Sequence, residues 1–597
     1  MADAIAGALF VQYERRLSEL EAGFGQARFH GTLAAGLFVI AFAAFLMLGL
    51  LAFRQQASFL WPSLPLPLAA ESARRFRRYR HSRSRIGRLR RFYDRAVQRM
   101  NANWVGNGAT GEEFSDPGHA YARDLDIFGE GSLFEMLCTA RTAIGQRGLA
   151  DYLLKAPSVE ETLSRQEAVR ELRGQWDLRE RLALLGDAEF FESKWETFAE
   201  WLALPAVSFG GSIRLAAFIT SVLLAGTVVG GLTGLVPWSS VAVWIAPLVA
   251  FHSVVGLFFR NRINRMVAWL HPVSLETQVL WEGLRLLEHH QFQSPKLRQL
   301  AGQVRNGSKS VRKLERLLNA LNERNKEWFY GPSLLLLAGT QLCMAIEQWR
   351  IEHRAALRGW LDAWAEFEAL NALANYAYEN PENTFPDFST EGARFEAEGL
   401  GHPLLPRASC VGNDVGLNPE SRFYVVSGSN MSGKSTLLRA IGLNAVLAFA
   451  GAPVRARALR LSRLSVCASL SVVDSPLNGK SKFLAEVERL RQTIQVALEG
   501  ESVLFLIDEI FGGTNSRDRR VAAEAVVRTL VNQGAIGALS THDLALSEIA
   551  ASDLRGVNVH TGSRDGSDPM DFDYRLKPGV TTEANAVAIA RMAGVPI

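Results

Sequence analysis

The stretch "YVVSGSNMSGKSTLLRAIG", Tyr424 to Gly442, decides the fold of the C-terminal third of this chain. It contains the pattern G-x-x-x-x-G-K-S from Gly428 to Ser435. An apolar, β-branched run (Phe423 to Val426) precedes it, and Leu437, Leu438, Ile441 and Ala445 follow at the spacing of one helical face. Strand, loop and helix in that order are what a phosphate-binding loop needs. Gly428, Ser429, Asn430, Met431, Ser432, Gly433, Lys434, Ser435 and Thr436 are therefore the candidate cradle for a nucleoside triphosphate. Its backbone N–H groups curl around the β-phosphate, and the helix N-terminus adds positive potential. Lys434 is placed to reach the β- and γ-phosphates, and the Ser435 hydroxyl to ligate Mg²⁺. A Gly/Ser-rich turn rarely carries the full pattern between a strand and a helix.

A second run, "SVLFLIDEIFGGTNSRD" (Ser502 to Asp518), begins as an unbroken apolar strand and ends in Asp508 and Glu509. Such a run is characteristic of a central parallel strand covered on both faces. At its carboxyl end Asp508 is the candidate to hold Mg²⁺ through water, and Glu509 to orient and deprotonate the attacking water. A further strand in "AIGALSTHD" (Ala535 to Asp543) ends near His542, a candidate sensor of the γ-phosphate. ATP and Mg²⁺ are the expected cofactors, and an α/β P-loop (ABC-type) ATPase domain is the expected C-terminal fold.

The whole chain has 597 residues, enough for several domains. Its formal net charge of +4 names no partner. Four well-separated cysteines (Cys138, Cys343, Cys410, Cys467) without a C-x-x-C pair argue against a zinc site or disulfide framework and fit a reducing compartment.

Charge and apolarity are unevenly spread. Gly31 to Phe53 carries no charge and is long enough to span a bilayer. It begins too far into the chain to be a signal peptide. Ala57 to Ala70 is apolar but short, with three prolines, and reads as a broken second span or an interfacial segment. Between Arg214 and Arg260 no Asp, Glu, Lys or Arg occurs, and "GLVPWSS" (Gly234 to Ser240) supplies a turn, so two helices of roughly twenty residues fit as a transmembrane hairpin. Trp328 to Ile346, interrupted by Gly331, Pro332, Gly339 and Gln341, reads as a buried helix. A single crossing there would separate the ATP site from the segment around Asp124.

Between Arg74 and Arg99 lie twelve arginines and one acid, Asp94. This run has three readings: a topology signal, an anionic-lipid contact or a nucleic-acid contact. As a topology signal it places the ATPase domain in the cytoplasm of a multi-pass protein of the cell (inner) membrane, with the lipid bilayer as a partner.

Beyond single motifs, the C-terminal segment resembles the ATPase domain of the MutS family of DNA mismatch-repair proteins, a branch of the ABC-type ATPases. "GHPLL" (Gly401 to Leu405), "SGSNMSGKSTLLR", "AFAGAPVRA" (Ala448 to Ala456), "NGKSKFLAEVERL" (Asn478 to Leu490), "DEIFGGTNSRD" and "KPGVTTEANAVAIARMAGVP" (Lys577 to Pro596) follow that family's order. The resemblance implies that Ser481 touches the γ-phosphate of ATP bound by a partner subunit, and hence a homodimer. Upstream, Gly129 to Leu172 resembles the family's helical core domain. DNA is implied as a partner by the resemblance only.

Departures from the family pattern are as informative. Membrane-length helices stand where a mismatch-reading domain is usual. The family's Phe-x-Glu wedge has a counterpart before the core only in Phe128-Gly129-Glu130, with no domain around it. After Pro596 only Ile597 remains where a dimerisation extension is usual. Gly512 stands for a usual Arg, and Cys410 for a common adenine-stacking aromatic.

The expected organisation is an N-terminal segment (1–30), a membrane region of one span or two (31–72), a basic linker (73–120), the first part of an all-α MutS-like core (121–210), a transmembrane hairpin (211–262), a helical core and lever (263–398) and the ATPase domain (399–597). The expected function is a membrane-anchored MutS-like ATPase whose ATP cycle drives dimer closure and which binds DNA. The alternative is an ABC-like mechanochemical ATPase acting on a membrane partner. A transporter is disfavoured, because His252 is the sole ionisable candidate within the spans.

Overall fold

The structure, a computed structural model, describes all residues except 1, 55, 57, 59, 187–200, 202, 204, 206–210, 324–336, 430, 471–481, 513–515, 552–554, 563–570 and 582–597. Helices in chain order are α1 (Ala2–Phe53), α2 (Leu66–Met100), α3 (Leu133–Leu137), α4 (Ala143–Leu154), α5 (Val159–Arg173), α6 (Trp176–Ala183), α7 (Gly211–Leu232), α8 (Trp238–His289), α9 (Pro295–Gln303), α10 (Gly307–Glu323), α11 (Ala338–Glu379), α12 (Lys434–Ala450), α13 (Lys482–Leu498), α14 (Ser516–Asn532) and α15 (Glu548–Ala551). The strands are β1 (Asp387–Phe388), β2 (Phe395–Leu400), β3 (Asn413–Leu417), β4 (Phe423–Ser427), β5 (Ala458–Leu461), β6 (Ser465–Ser469), β7 (Val503–Asp508), β8 (Ile536–Thr541), β9 (Gly556–His560) and β10 (Lys577–Pro578). The chain divides into two compact units, the first formed by 1–139, 150–187 and 370–597, the second by 140–149 and 188–369.

In the first unit, six strands form one sheet in the order β10-β9-β4-β8-β7-β6. All neighbours from β9 to β6 are parallel, and β10 alone runs antiparallel. Every residue of β4 and β8, and all but the last of β7, is buried. This explains their continuous apolar runs: helices cover both faces of a parallel sheet, so neither face alternates. A second sheet, β1-β5-β2-β3, flanks the unit.

A strap from the helical part crosses this domain. Ala468 N–H donates to Ala120 O (2.9 Å), Arg489 to His119 O (2.6 Å), and Leu470 N–H to the buried Asp124 carboxylate (2.8 Å). Leu125 lies so close to Gly442 that a Cβ there would meet its methyls at 2.7 Å. The segment around Asp124 thus touches the sheet domain, as the sequence requires.

Also within this unit, α1 and α2 pack as an antiparallel hairpin. His30 stacks on Tyr79 (5.4 Å), the Arg83 guanidinium lies over Phe24 (5.2 Å), and Tyr13 meets Tyr93 edge-on (5.4 Å). The stretch expected as a basic linker is therefore helical as far as Met100, and 1–30 is continuous with 31–53 in one helix. The described residues of the 57–70 stretch form a single 3₁₀ turn (Trp61–Ser63) and the first residues of α2. The base of the hairpin is held by Trp176 and Tyr378 packed on Tyr13 and by a buried pair in which Arg99 donates twice to Glu379 (2.7 and 2.6 Å).

In the second unit, α7 and α8 form the hairpin expected between Arg214 and Arg260, joined through Gly234, whose φ is +74°. The second arm does not stop at the expected boundary of 262. Helix α8 continues to His289, 52 residues in all, through Pro272. His252 is buried and hydrogen-bonded to Thr220 (2.9 Å), so it is a satisfied side chain of the hairpin. The described end of the Trp328–Ile346 stretch lies in α11 and is largely buried, with Gln341 donating to Ser221 (2.9 Å). Among the described residues, three helices are long and apolar enough to cross a membrane: Gly7–Phe53, Ser212–Leu232 and Trp238–Phe259.

Because removing one member of a buried ion pair leaves the other uncompensated, Arg99→Ala should destabilise the first unit by about 3–5 kcal/mol. Replacing both members, as Arg99→Met with Glu379→Leu, should recover most of that loss. Thermal unfolding of the detergent-solubilised protein measures both. A single variant as stable as the parent would show that the pair does not hold the hairpin base.

Candidate functional site

The sheet brings β4, β8 and β7 side by side, so the residues following each strand meet at one carboxyl edge. From β4 the chain turns through the Gly428–Gly433 loop into α12. Gly433, at φ +94°, caps the helix, and a Cβ there would come within 3.0 Å of the Tyr574 ring. Gly428 is equally constrained, since a Cβ would meet Thr561 O at 2.7 Å. Ser432 is buried, its hydroxyl donating to Ser429 O (2.8 Å) and sharing a hydrogen bond with Thr561 Oγ1 (2.7 Å).

Lys434 opens α12 and folds back over the loop, donating to Gly428 O (2.9 Å) and Ser429 O (2.8 Å). Burial pushes its pKa down, opposed by the carboxylates of Asp508 and Glu509. The next residue, Ser435, donates to Asp508 Oδ2 at 2.5 Å. The other Asp508 oxygen accepts from Ser540 at the end of β8.

Glu509 takes a left-handed backbone conformation (φ +51°) just beyond β7, and its N–H donates to Ser540 O (3.1 Å). Its carboxylate lies 3.2 Å from His542 Nδ1. Both side chains are about half exposed. Lys434, Ser435, Asp508, Glu509 and His542, drawn from three separated stretches, thus converge. Met431 is exposed, with φ +69°. Thr436 lines a neighbouring cavity of about 310 Å³, together with His402, Cys410, Asn413 and Tyr574. Asn430 and Ser481 lie outside the described residues.

Three supporting residues escape sequence reading. Ser540 orients Asp508 and sits in a fully buried strand, with no signal of its own. Glu486 is buried on α13 and accepts from Phe511 N–H (2.5 Å), fixing the backbone just after the acid pair. Arg519 donates to Phe511 O from the other side (3.0 Å). Glu486 lies three residues after Phe483, and its target is visible only once the fold is formed.

The donor set suits the groups expected. A serine hydroxyl beside a carboxylate is the hard-oxygen pair that Mg²⁺ prefers. A buried lysine over a glycine-bounded loop at a helix start suits a polyphosphate.

Comparison with known proteins agrees. The family model described as MutS domain V matches residues 424–597. A "DNA mismatch repair protein MutS" of Lactobacillus delbrueckii subsp. bulgaricus is 29% identical over 239 residues, covering 39% of this chain and 28% of that protein. The protein of the same name from Natronomonas pharaonis is 33% identical over 238 residues (39% and 27%). A "DNA mismatch repair protein MutS 2" of Halobacterium salinarum is 33% identical over 240 residues (40% and 26%). Residues 424–597 are thus similar to MutS domain V, and a largely helical region precedes them. The chain spans a little over a quarter of the length of the curated relatives it matches.

His402, on the cavity wall, is pushed down to about 4 by burial, reinforced by Arg439 and Arg455. Unfolded, it binds a proton near pH 6.5. The unfolded chain therefore holds more protons between about pH 6.5 and 4, so the stability kept by the neutral ring is full above that window and lost as pH falls through it. His402→Gln should reduce the loss of stability between about pH 7 and 4.5 by roughly 2–3 kcal/mol. Denaturant titrations of both proteins at the two pH values measure it, and equal losses would contradict the assignment.

Proposed function

We propose that this protein is a membrane-anchored MutS-type ATPase that binds and hydrolyses ATP with Mg²⁺ and works as a homodimer. The observation that carries the reading is the joint Ser435–Asp508–Ser540, with Glu509 and His542 beside it and Lys434 over the loop.

In this reading the Gly428–Thr436 backbone and Lys434 bind the polyphosphate, and Ser435 with Asp508 holds Mg²⁺. The bound ion supplies charge neutralisation on the phosphates. Glu509 orients the attacking water and accepts its proton, with His542 positioning the carboxylate. Ser481 is assigned to the second subunit's nucleotide from the family resemblance. The bilayer-length helices support a multi-pass protein of the cell membrane with this domain in the cytoplasm.

DNA binding is proposed from the MutS relatives. A second reading, a mechanochemical ATPase acting on a membrane partner without DNA, is favoured by one observation: apolar helices make up much of the region before the matched domain.

Glu509→Gln removes the base and leaves the cradle intact, so it should bind ATP with unchanged affinity while turnover falls at least about a hundredfold. Nucleotide binding and phosphate release measure the two arms. Turnover at the parental rate would remove Glu509 from the role of base. A detergent-purified protein that binds DNA through phosphate contacts should lose affinity steeply with salt, its log K falling linearly with log salt. Duplex, branched and single-stranded oligonucleotides all failing to bind at low salt would select the second reading.

A further inference from the structure

The arginine run is left with three readings by sequence, and the α1/α2 hairpin separates them. Arg74, Arg75, Arg77, Arg78 and Arg80 fall within two turns of α2, and all five are exposed. At 100° per residue they surround the helix except for one arc. That arc is filled by Tyr79, which packs against Gly31 and stacks on His30 of α1. The arginines therefore form a collar around the sides of α2 that face away from α1, rather than a single stripe.

On one side of the collar the hairpin is apolar and bare. Phe38, Ile40, Phe42, Leu46, Met47, Leu50 and Phe53 of α1 are exposed, as are Leu60, Trp61, Leu64, Leu66 and Leu68 around the turn. From Gly36, level with the collar, to Phe53 the helix rises about 26 Å, close to the ~30 Å hydrocarbon thickness of a bilayer. On the other side the hairpin becomes polar, with the Arg90–Glu21 pair (3.0 Å) and the buried tyrosine cluster beyond.

We propose that this collar is a binding site for the phosphates of anionic phospholipids, and that the apolar end of the hairpin enters the bilayer and returns to the side it left. The inference rests on the membrane reading above and deepens it by naming the lipid class and the residues. Charge complementarity and the level of the collar, directly against the exposed apolar end, select headgroups as the occupant. Arginines spread around the exposed sides of α2 at that level meet phosphates from several directions. A nucleic acid would need them on one face clear of the apolar end. The polybasic attraction to an anionic surface is additive and operates at the distance of a headgroup.

The test uses the full-length protein in neutral detergent, incubated with equimolar phosphatidylglycerol and phosphatidylcholine, with retained lipids counted by native mass spectrometry. The parent should retain phosphatidylglycerol about fivefold or more over phosphatidylcholine, the effect of one basic residue near the surface. Replacing the five arginines with glutamine should bring the ratio close to one, and replacing them with lysine should keep most of the preference. No preference in the parent, or an unchanged preference in the glutamine variant, overturns the proposal. So does a duplex oligonucleotide whose binding is lost in the glutamine variant while lipid retention is unchanged. Extraction of the protein from cell membranes by alkaline carbonate is scored separately. Release into the supernatant would overturn the membrane reading itself, whereas a protein that stays in the membrane without lipid preference overturns only the collar.

Discussion

The hydrogen bond from Ser435 to Asp508 is the joint on which the site depends. It ties the first turn of α12 to the end of β7, although β4, which leads into that helix, and β7 are not neighbours in the sheet. The joint forms because β8 lies between β4 and β7 in parallel register and supplies Ser540 as a third member. Asp508 is thereby held by hydroxyls on both oxygens. Glu509, the next residue, is turned by a left-handed backbone so that its side chain meets His542. Backbone strain of that kind persists only where its surroundings over-determine it, and here Ser540 O, Glu486 and Arg519 do so.

Helix α13 joins this site to the strap. Glu486 holds the N–H of Phe511, and Arg489, three residues later on the same side of the helix, holds His119 O and the buried Asp124. Asp124 also accepts from Leu470, at the end of the strand that borders the sheet. A displacement of α13 would therefore strain the backbone behind Glu509 and the strap together. Close packing transmits it: Leu125 sits where Gly442 has no side chain, and any larger residue there would have to move it.

The hairpins obey a different constraint. Their apolar side chains face outward, in a density that water-soluble monomers do not carry as a contiguous surface. In the α7/α8 hairpin Thr220, Ser221 and Thr227 donate to carbonyls of their own helix. That is the condition a helix must meet where no water is present. At its base the α1/α2 hairpin passes into a rigid cluster of aromatic rings around the Arg99–Glu379 pair, so the shaft and the sheet domain's helical neighbours are one packed body.

Local pattern was enough to single out the loop at Gly428–Thr436, the acid pair, His542, the apolar helices and the likeness of the C-terminal segment to MutS domain V. Each is written in contiguous residues whose chemistry or period is specific: a glycine-bounded lysine between strand and helix, two acids at the end of an apolar strand, charge-free runs of bilayer length. What contiguous pattern does not encode is which distant groups a side chain meets. Ser540 resembles any buried serine, Glu486 any helical glutamate, and Asp124 a loop carboxylate; only the strand order β4-β8-β7-β6 assigns their partners. The same limit explains the N-terminal region. Twelve arginines read as a charged linker because charge leaves helix formation open, and only the packing of Tyr79 on His30 shows that the stretch is one helix of a hairpin, with its first five arginines on the exposed sides. Sequence determined the chemistry available to this protein, because residue type and spacing act locally. Tertiary structure decided which groups act together, because that depends on contacts between residues tens to hundreds of positions apart.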